Sequence, residues 1–239
     1  MGAEVLPWVF TSGWASGINA YAVVLIMGLV DKFAHLQQIP DALARTDVLI
    51  GAAVLFLIEM VADKVPYVDS TWDSIHTVIR PAVGATLGYL IGHDTAGMDA
   101  AFTAATGGIT ALLSHLVKAG LRTAVNTSPE PVSNVVVSTG EDLTVAGVIS
   151  LAMVNPWLAA GVAAALLAIG AVLLVFALRR VRSLKRRYDD WGVRMGIAVP
   201  PEQRGRRGLR RGGPPGGPVA GAPDLGAGSS SLPPIPPAP

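Results

Sequence analysis

Cysteine is absent from all 239 residues, which excludes disulfides, thiolate nucleophiles, iron–sulfur clusters and cysteine-ligated zinc. Histidine is scarce as well. His35, His76, His93 and His115 are too far apart for a local His-rich motif, so no metal and no other cofactor is expected. No Lys or Arg precedes the first apolar run, so the start of the chain lacks the basic region of a cleaved secretory signal, and that run is expected to be retained. A phosphate-cradling glycine loop, a nucleophile elbow and a two-histidine metal motif are also missing, and no nucleic-acid partner is expected. Charged residues make up only 15% of the chain, and they are unevenly placed: six basic against thirteen acidic residues before Arg179, twelve against four from there on.

What is present is apolar. A 51% hydrophobic fraction and a mean hydropathy of +0.50 describe a chain whose solvent is partly lipid, an integral membrane protein. A spanning helix takes about 20 largely apolar residues. Six segments qualify, at 8–31, 47–64, 70–92, 98–122, 141–154 and 156–178, the fifth being short; Asn155-Pro156, a cap followed by proline, marks the start of the sixth. Arg179, Arg180, Arg182, Lys185, Arg186 and Arg187 follow at once, a cluster that the positive-inside rule puts in the cytoplasm and that suits anionic lipid headgroups. Counting back through six spans puts both termini on the cytoplasmic side of a multi-pass inner-membrane protein. Residues 179–198 read as a basic juxtamembrane helix, and 199–239, rich in Pro, Gly and Arg, as a disordered tail.

The fold class expected is therefore all-α, with a transmembrane domain over 1–178. Ser16-Gly17-Ile18-Asn19-Ala20 and Gly107-Gly108-Ile109-Thr110-Ala111 place a small pair, Ile, a short polar residue and Ala at equivalent points of two three-helix halves, about 8–92 and 98–178. Glycine pairs at such places suit discontinuous helices around a central site, and three spans per half make the halves an inverted repeat with broken first helices. The same glycines would equally serve close helix packing. Gly84, Gly88 and Gly92, spaced by four, form a second small-residue seam, one that suits a helix of the same chain or of another copy.

Ionisable groups at membrane depth are costly, so each is a candidate for function. Glu59 and Asp63 lie one turn apart on one helical face, and Asp69, Asp73, His76 and Arg80 make a polar stripe at spacings of four, three and four. Asp63, Lys64 and Asp69 also suit a membrane-surface loop. Thr110, Ser114, Lys118 and Arg122 repeat every four residues with His115 beside them; Arg122, near the helix end, is expected to snorkel to the interface. Residues 126–134 read as a rigid polar loop, and Glu141-Asp142 as first-turn acids that favour the positive end of a helix dipole and need no catalytic role.

At Ser16-Gly17-Ile18-Asn19-Ala20, Ala62-Asp63-Lys64-Val65-Pro66, Asp69 to Arg80-Pro81, Ser128-Pro129-Glu130-Pro131 with Asn134, and Glu141-Asp142, the chain resembles a bacterial membrane family, that of domain of unknown function 4126. The likeness covers roughly residues 8–178 and implies a membrane location without naming a substrate. A narrower likeness, to polyprenyl-phosphate phosphatases and flippases, rests on clustered Glu, Ser, His and Arg; the phosphatase serine-rich motifs are missing.

The function these features favour is a transporter, channel or lipid translocase with a polar mid-membrane site. Asn19 and Thr110 would supply polar groups at the breaks, Glu59, Asp73 and His76 would carry protons or a cation, Arg80 and Lys118 would balance charge or hold an anion, and Asp63, Ser114 and His115 are the further candidate binding residues. The rival functions are a membrane enzyme acting on phosphorylated lipids through the Asp69–Asp73–His76–Arg80 stripe, and a non-catalytic scaffold that works through its basic tail.

Overall fold

The computed structural model describes residues 5–65, 68–93, 99–125 and 131–195; the expected disordered tail, 199–239, and residues 126–130 of the expected loop lie outside the described residues. Two units divide the chain after Arg186, and the bundle lies in the first. Its elements are α1 (Val5–Ala34), a 3-10 turn (Asp41–Ala44), α2 (Thr46–Ala62), α3 (Val68–His93), α4 (Ala100–Val125), α5 (Pro131–Val154) and α6 (Pro156–Arg194), with no strand among the described residues.

The helix ends obey local chemistry. α1 closes at His35, whose φ of +48° is the left-handed turn that ends many helices, with its N–H on the Asp31 carbonyl at 2.9 Å. Asp99 caps α4 by accepting from the Ala101 N–H at 2.7 Å, and Asn155 caps α6 by accepting from Leu158 at 3.0 Å just before Pro156. α5 starts at Pro131, ten residues before the expected start of its span. Proline at a first helical position needs no N–H partner and brings a preset φ, so the proline-rich stretch launches a helix where a loop was expected.

Among the described residues four helices are long and apolar enough to cross a membrane: α1, α4 to Thr123, α5 from Val135, and α6. The bundle is apolar outside and polar inside. Ile169, Val172 and Phe176 of α6, Ile109 and Leu116 of α4, and Ile50, Leu57 and Val61 of α2 are exposed, whereas Glu59, Asp63, Asp69, Asp73, His76, Arg80, Lys118 and Arg122 are buried. An aqueous fold inverts this arrangement. α3 shows how a charged helix suits lipid, because its polar stripe faces the bundle while Ile75 and Val78 face out. An apolar core joins Trp8, Val9, Val23 and Met27 of α1 to Leu87 of α3 and Val145 and Ile149 of α5.

The glycines where α1, α3 and α4 meet serve packing. A Cβ on Gly13 would lie 2.7 Å from the Gly107 carbonyl oxygen, one on Gly84 2.7 Å from the same oxygen, and one on Gly88 would collide with the Thr103 carbonyl. α1, α3 and α4 therefore meet backbone to backbone. This corrects two expectations. α4 runs unbroken through Gly107-Gly108, so of these two helices α1 alone carries a break, and that break falls at Asn19, beyond Ser16-Gly17. Gly84, Gly88 and Gly92 are spent on α4 within the chain and leave no seam for a second copy.

The same contacts fix helix directions. Gly84 and Gly88 meet Gly107 and Thr103, so α3 opposes α4; Gly13 and Gly17 meet Gly107 and Ala111, so the first half of α1 runs with α4. Val117 and Gly120 of α4 meet Gly170 and Leu174, so α6 runs with α4 too. An in-plane two-fold exchanging α1 with α4 would set them in opposite senses. The expected inverted repeat is therefore not the relation between these two helices.

Candidate functional site

The break in α1 organises the site. Asn19 leaves the helical region (φ −148°, ψ 95°), so the chain is two half-helices meeting mid-way, with backbone groups freed on each side. Asn19 caps the second half itself, its Oδ1 accepting from the Ala22 N–H at 2.9 Å. The end of the first half is held by α4, where Ser114 Oγ donates to the Trp14 carbonyl at 2.7 Å and Lys118 Nζ to the Ile18 carbonyl at 2.7 Å. Residues four apart on α4 thus grip carbonyls four apart on α1, and an ammonium sits at the negative end of a half-helix. Asn19 Nδ2 reaches across to Asp142 Oδ1 of α5 at 2.9 Å.

Around Arg80 lies a first ionic cluster. Its Nη2 donates to Glu59 Oε1 at 2.6 Å and its Nη1 to Asp73 Oδ1 at 3.0 Å, with Arg80 and Glu59 both 0% exposed. Nη1 also faces His115 Nδ1 at 2.8 Å. A guanidinium only donates, so Nδ1 accepts and the His115 proton is on Nε2, which meets Thr77 Oγ1 at 3.1 Å. His76 has the opposite tautomer: Nδ1–H donates to the Trp72 carbonyl at 2.8 Å, and Nε2 accepts from the Tyr21 hydroxyl at 3.0 Å. One guanidinium therefore faces two carboxylates and a neutral imidazole. Glu59 Oε2 and Asp73 Oδ2, both buried, have no hydrogen-bond partner among the described residues.

A second cluster lies toward the joined ends of α2, α3 and α4. Asp63 Oδ2 accepts from Lys118 at 2.9 Å and from Arg122 at 3.0 Å, while Arg122 also donates to the Asp63 carbonyl at 3.1 Å and to Glu141 Oε2 at 2.6 Å. Lys118 is 3.4 Å from Glu141, and Asp69 is 4.0 Å from Arg122. Together the two clusters and the Asn19 contact assemble six carboxylates (Glu59, Asp63, Asp69, Asp73, Glu141, Asp142) around three basic side chains. Among the described residues no group of three or more His, Asp or Glu converges to hold a metal ion. At the surface, by contrast, Arg45 and Asp47 pair at 2.7 Å with both side chains two-thirds exposed; the hydrogen bond from Arg45 lowers the Asp47 pKa, and such a pair adds little to stability.

A family model described as domain of unknown function (DUF4126) matches residues 6–176, most of the chain. The chain belongs to the DUF4126 family. No curated protein and no solved structure matches it.

The sequence-marked residues of this DUF4126 protein mostly converge. Asn19, Glu59, Asp63, Asp73, His76, Arg80, Ser114, His115 and Lys118 all belong to the clusters or to the break they hold. Thr110 does not: its hydroxyl bonds Thr106 within unbroken α4, so it serves no helix break. Two other expectations fail. Arg122 does not snorkel, being 1% exposed inside the second cluster, and Asp63, in the turn after α2, and Asp69, at the start of α3, turn their side chains into the bundle and not to a surface. Glu141 and Asp142 lie near the middle of α5 and belong to the site, so no dipole role at a helix start applies. Tyr21 and Thr77 carry no mark in the sequence; each is a single hydroxyl that no spacing rule singles out. Arg179, Arg180, Arg182, Arg186 and Arg187 are exposed on α6, and the side chain of Lys185 lies outside the described residues.

Proposed function

We propose that this DUF4126 protein is a membrane transporter that couples movement of a substrate to binding and release of a proton at Glu59, Arg80 and Asp73. The observation that carries this reading is the charge imbalance of a fully buried triad. Arg80 neutralises one carboxylate, and each acid keeps one oxygen without a partner. A second buried negative charge costs several kcal/mol unless a proton or cation joins it. A proton resolves this with no further ligands, and the absence of a converging metal-ligand group among the described residues favours it. The half-helix break, with backbone ends at mid-helix, supplies the kind of site around which alternating access is built. The enzyme alternative draws less support, because the Asp69–Asp73–His76–Arg80 stripe is buried and committed to ion pairs and hydrogen bonds.

Proteoliposomes holding a pH-sensitive dye test the proposal. An imposed pH gradient is expected to drive proton movement through the wild type, and Glu59→Gln and Asp73→Asn are each expected to cut it by at least roughly tenfold, whereas Asp47→Asn leaves it unchanged. Equal proton movement in all four proteins would sink the proposal.

A further inference from the structure

A cavity of ≈ 270 Å³ lies beside the second cluster, walled by Trp14 and Ile18 of α1, Leu121 of α4, and Leu166 and Leu167 of α6. Its polar lining is small and specific: Ser114 and Lys118 from α4, Glu141 and Thr144 from α5. The hydrogens of these groups are already committed. Ser114 donates to the Trp14 carbonyl, Thr144 to the Gly140 carbonyl at 2.7 Å, and the three ammonium hydrogens of Lys118 match its three neighbours, Ile18 O, Asp63 and Glu141. Lys118, with two hydrogen bonds and an ion pair to Glu141 at 3.4 Å, already faces three oxygen partners. Glu141 is different: its contacts with Lys118 and Arg122 both use Oε2, so among the described residues Oε1 is uncommitted, and the side chain is 20% exposed at the cavity. What these charged and hydroxyl groups still offer is acceptors, set beside an indole ring and under a local excess of carboxylate.

We propose that this cavity binds a small hydrophobic amine in its ammonium form, with Glu141 as counter-ion and Trp14 and Leu166 against its apolar body. The volume is just under the roughly 300–1,000 Å³ of drug-sized ligand pockets, which limits the occupant to a small one. Apolar walls with one charged acceptor match a cation that carries its own hydrocarbon, and an indole face adds attraction for an ammonium. The proposal names the substrate class of the transport reading and rests on that reading only for the word substrate. Binding itself needs no gradient.

The test uses the full chain in lipid nanodiscs with radiolabelled phenethylamine. The amine is expected to bind and to be displaced by unlabelled amine, while 2-phenylethanol and 3-phenylpropionate, equal in body but neutral or anionic, compete at least roughly tenfold less well. Glu141→Gln should weaken binding by a similar factor. Because Glu141 also holds Arg122, a second variant guards against misfolding: Leu166→Trp, on the lightly packed α6, should fill the cavity and abolish binding with the fold intact. Equal competition by the carboxylate, or amine binding that survives both variants, would overturn the proposal. Loss of binding with proton movement retained would sink the amine site and leave proton coupling standing; binding without proton movement would support the site and sink the coupling.

Discussion

Arg80 is the residue on which the buried charges depend, since it is wholly buried and is the shared partner of Glu59, Asp73 and His115. Truncating one member of a buried pair leaves an uncompensated charge, costing about 3–5 kcal/mol, whereas removing both costs far less. Arg80→Gln strands two carboxylates and Glu59→Gln strands none, since Asp73 still balances the guanidinium. Arg80→Gln is therefore expected to lower the yield of folded protein severely, Glu59→Gln mildly, and Arg80→Gln with Glu59→Gln to recover part of the loss, as read by size-exclusion chromatography. Strictly additive losses would show that the ion pairs do not act together. The pairing of Glu59 with Arg80 is legible in the sequence, because a lone carboxylate among Leu55-Phe56-Leu57-Ile58 requires a partner. Glu141 and Asp142 mislead for one physical reason: the proline-rich stretch around Pro131 resembles a loop, and a loop there moves the helix start ten residues too far along. The buried positions of α5, Ser138, Val145, Val148, Ile149 and Ala152, repeat at helical spacing on both sides of Glu141, and that period is the readable sign of an inward-facing acid.

Among the helices, glycine has two opposite meanings that only packing separates. Gly13 stands where a Cβ would press on the Gly107 carbonyl at 2.7 Å, while Gly51 and Gly147 have nothing within 4 Å of an added Cβ. Gly13→Ala is expected to destabilise by about 1–3 kcal/mol, because two backbones must separate to admit it. Gly51→Ala and Gly147→Ala should be neutral or stabilise by roughly 0.5–1 kcal/mol, since alanine loses less freedom in a helix. Thermal unfolding in detergent checks both, and an equal loss at Gly51 and Gly13 would refute the close packing. The sequence could not rank these glycines, for each sits in an apolar run and the partner backbone is about a hundred residues away. The break in α1 is legible only to within a few residues. Glycine suggests it, but the residue that leaves the helix is Asn19, whose side chain caps the second half-helix and binds Asp142, a contact set by tertiary structure.

Across the whole molecule, helix direction decides how the protein lies in its membrane. α6 ends in the exposed cluster from Arg179, and such a cluster belongs in the cytoplasm. α4 runs with α6, and the first half of α1 runs with α4, so with the cluster on the cytoplasmic side all three are predicted to approach that face at their later residues. The start of α1 then lies on the opposite face from the basic cluster. Counting six spans from sequence gives the other expectation, both ends cytoplasmic, with α1 taken as one crossing. α1 is two half-helices joined at a kink at Asn19, and its second half meets the 3-10 turn and the 17-residue α2, where Gly28 approaches Leu43 and Leu49. The halves must therefore be counted separately. A single cysteine placed just before α1 in this cysteine-free chain is expected to react with a membrane-impermeant maleimide added outside intact cells, and one placed after Arg187 is expected to react only after lysis. Protection of the first cysteine until lysis would restore the six-crossing count and would require α1 and α4 to run in opposite senses, against the contacts of Gly13 and Gly17.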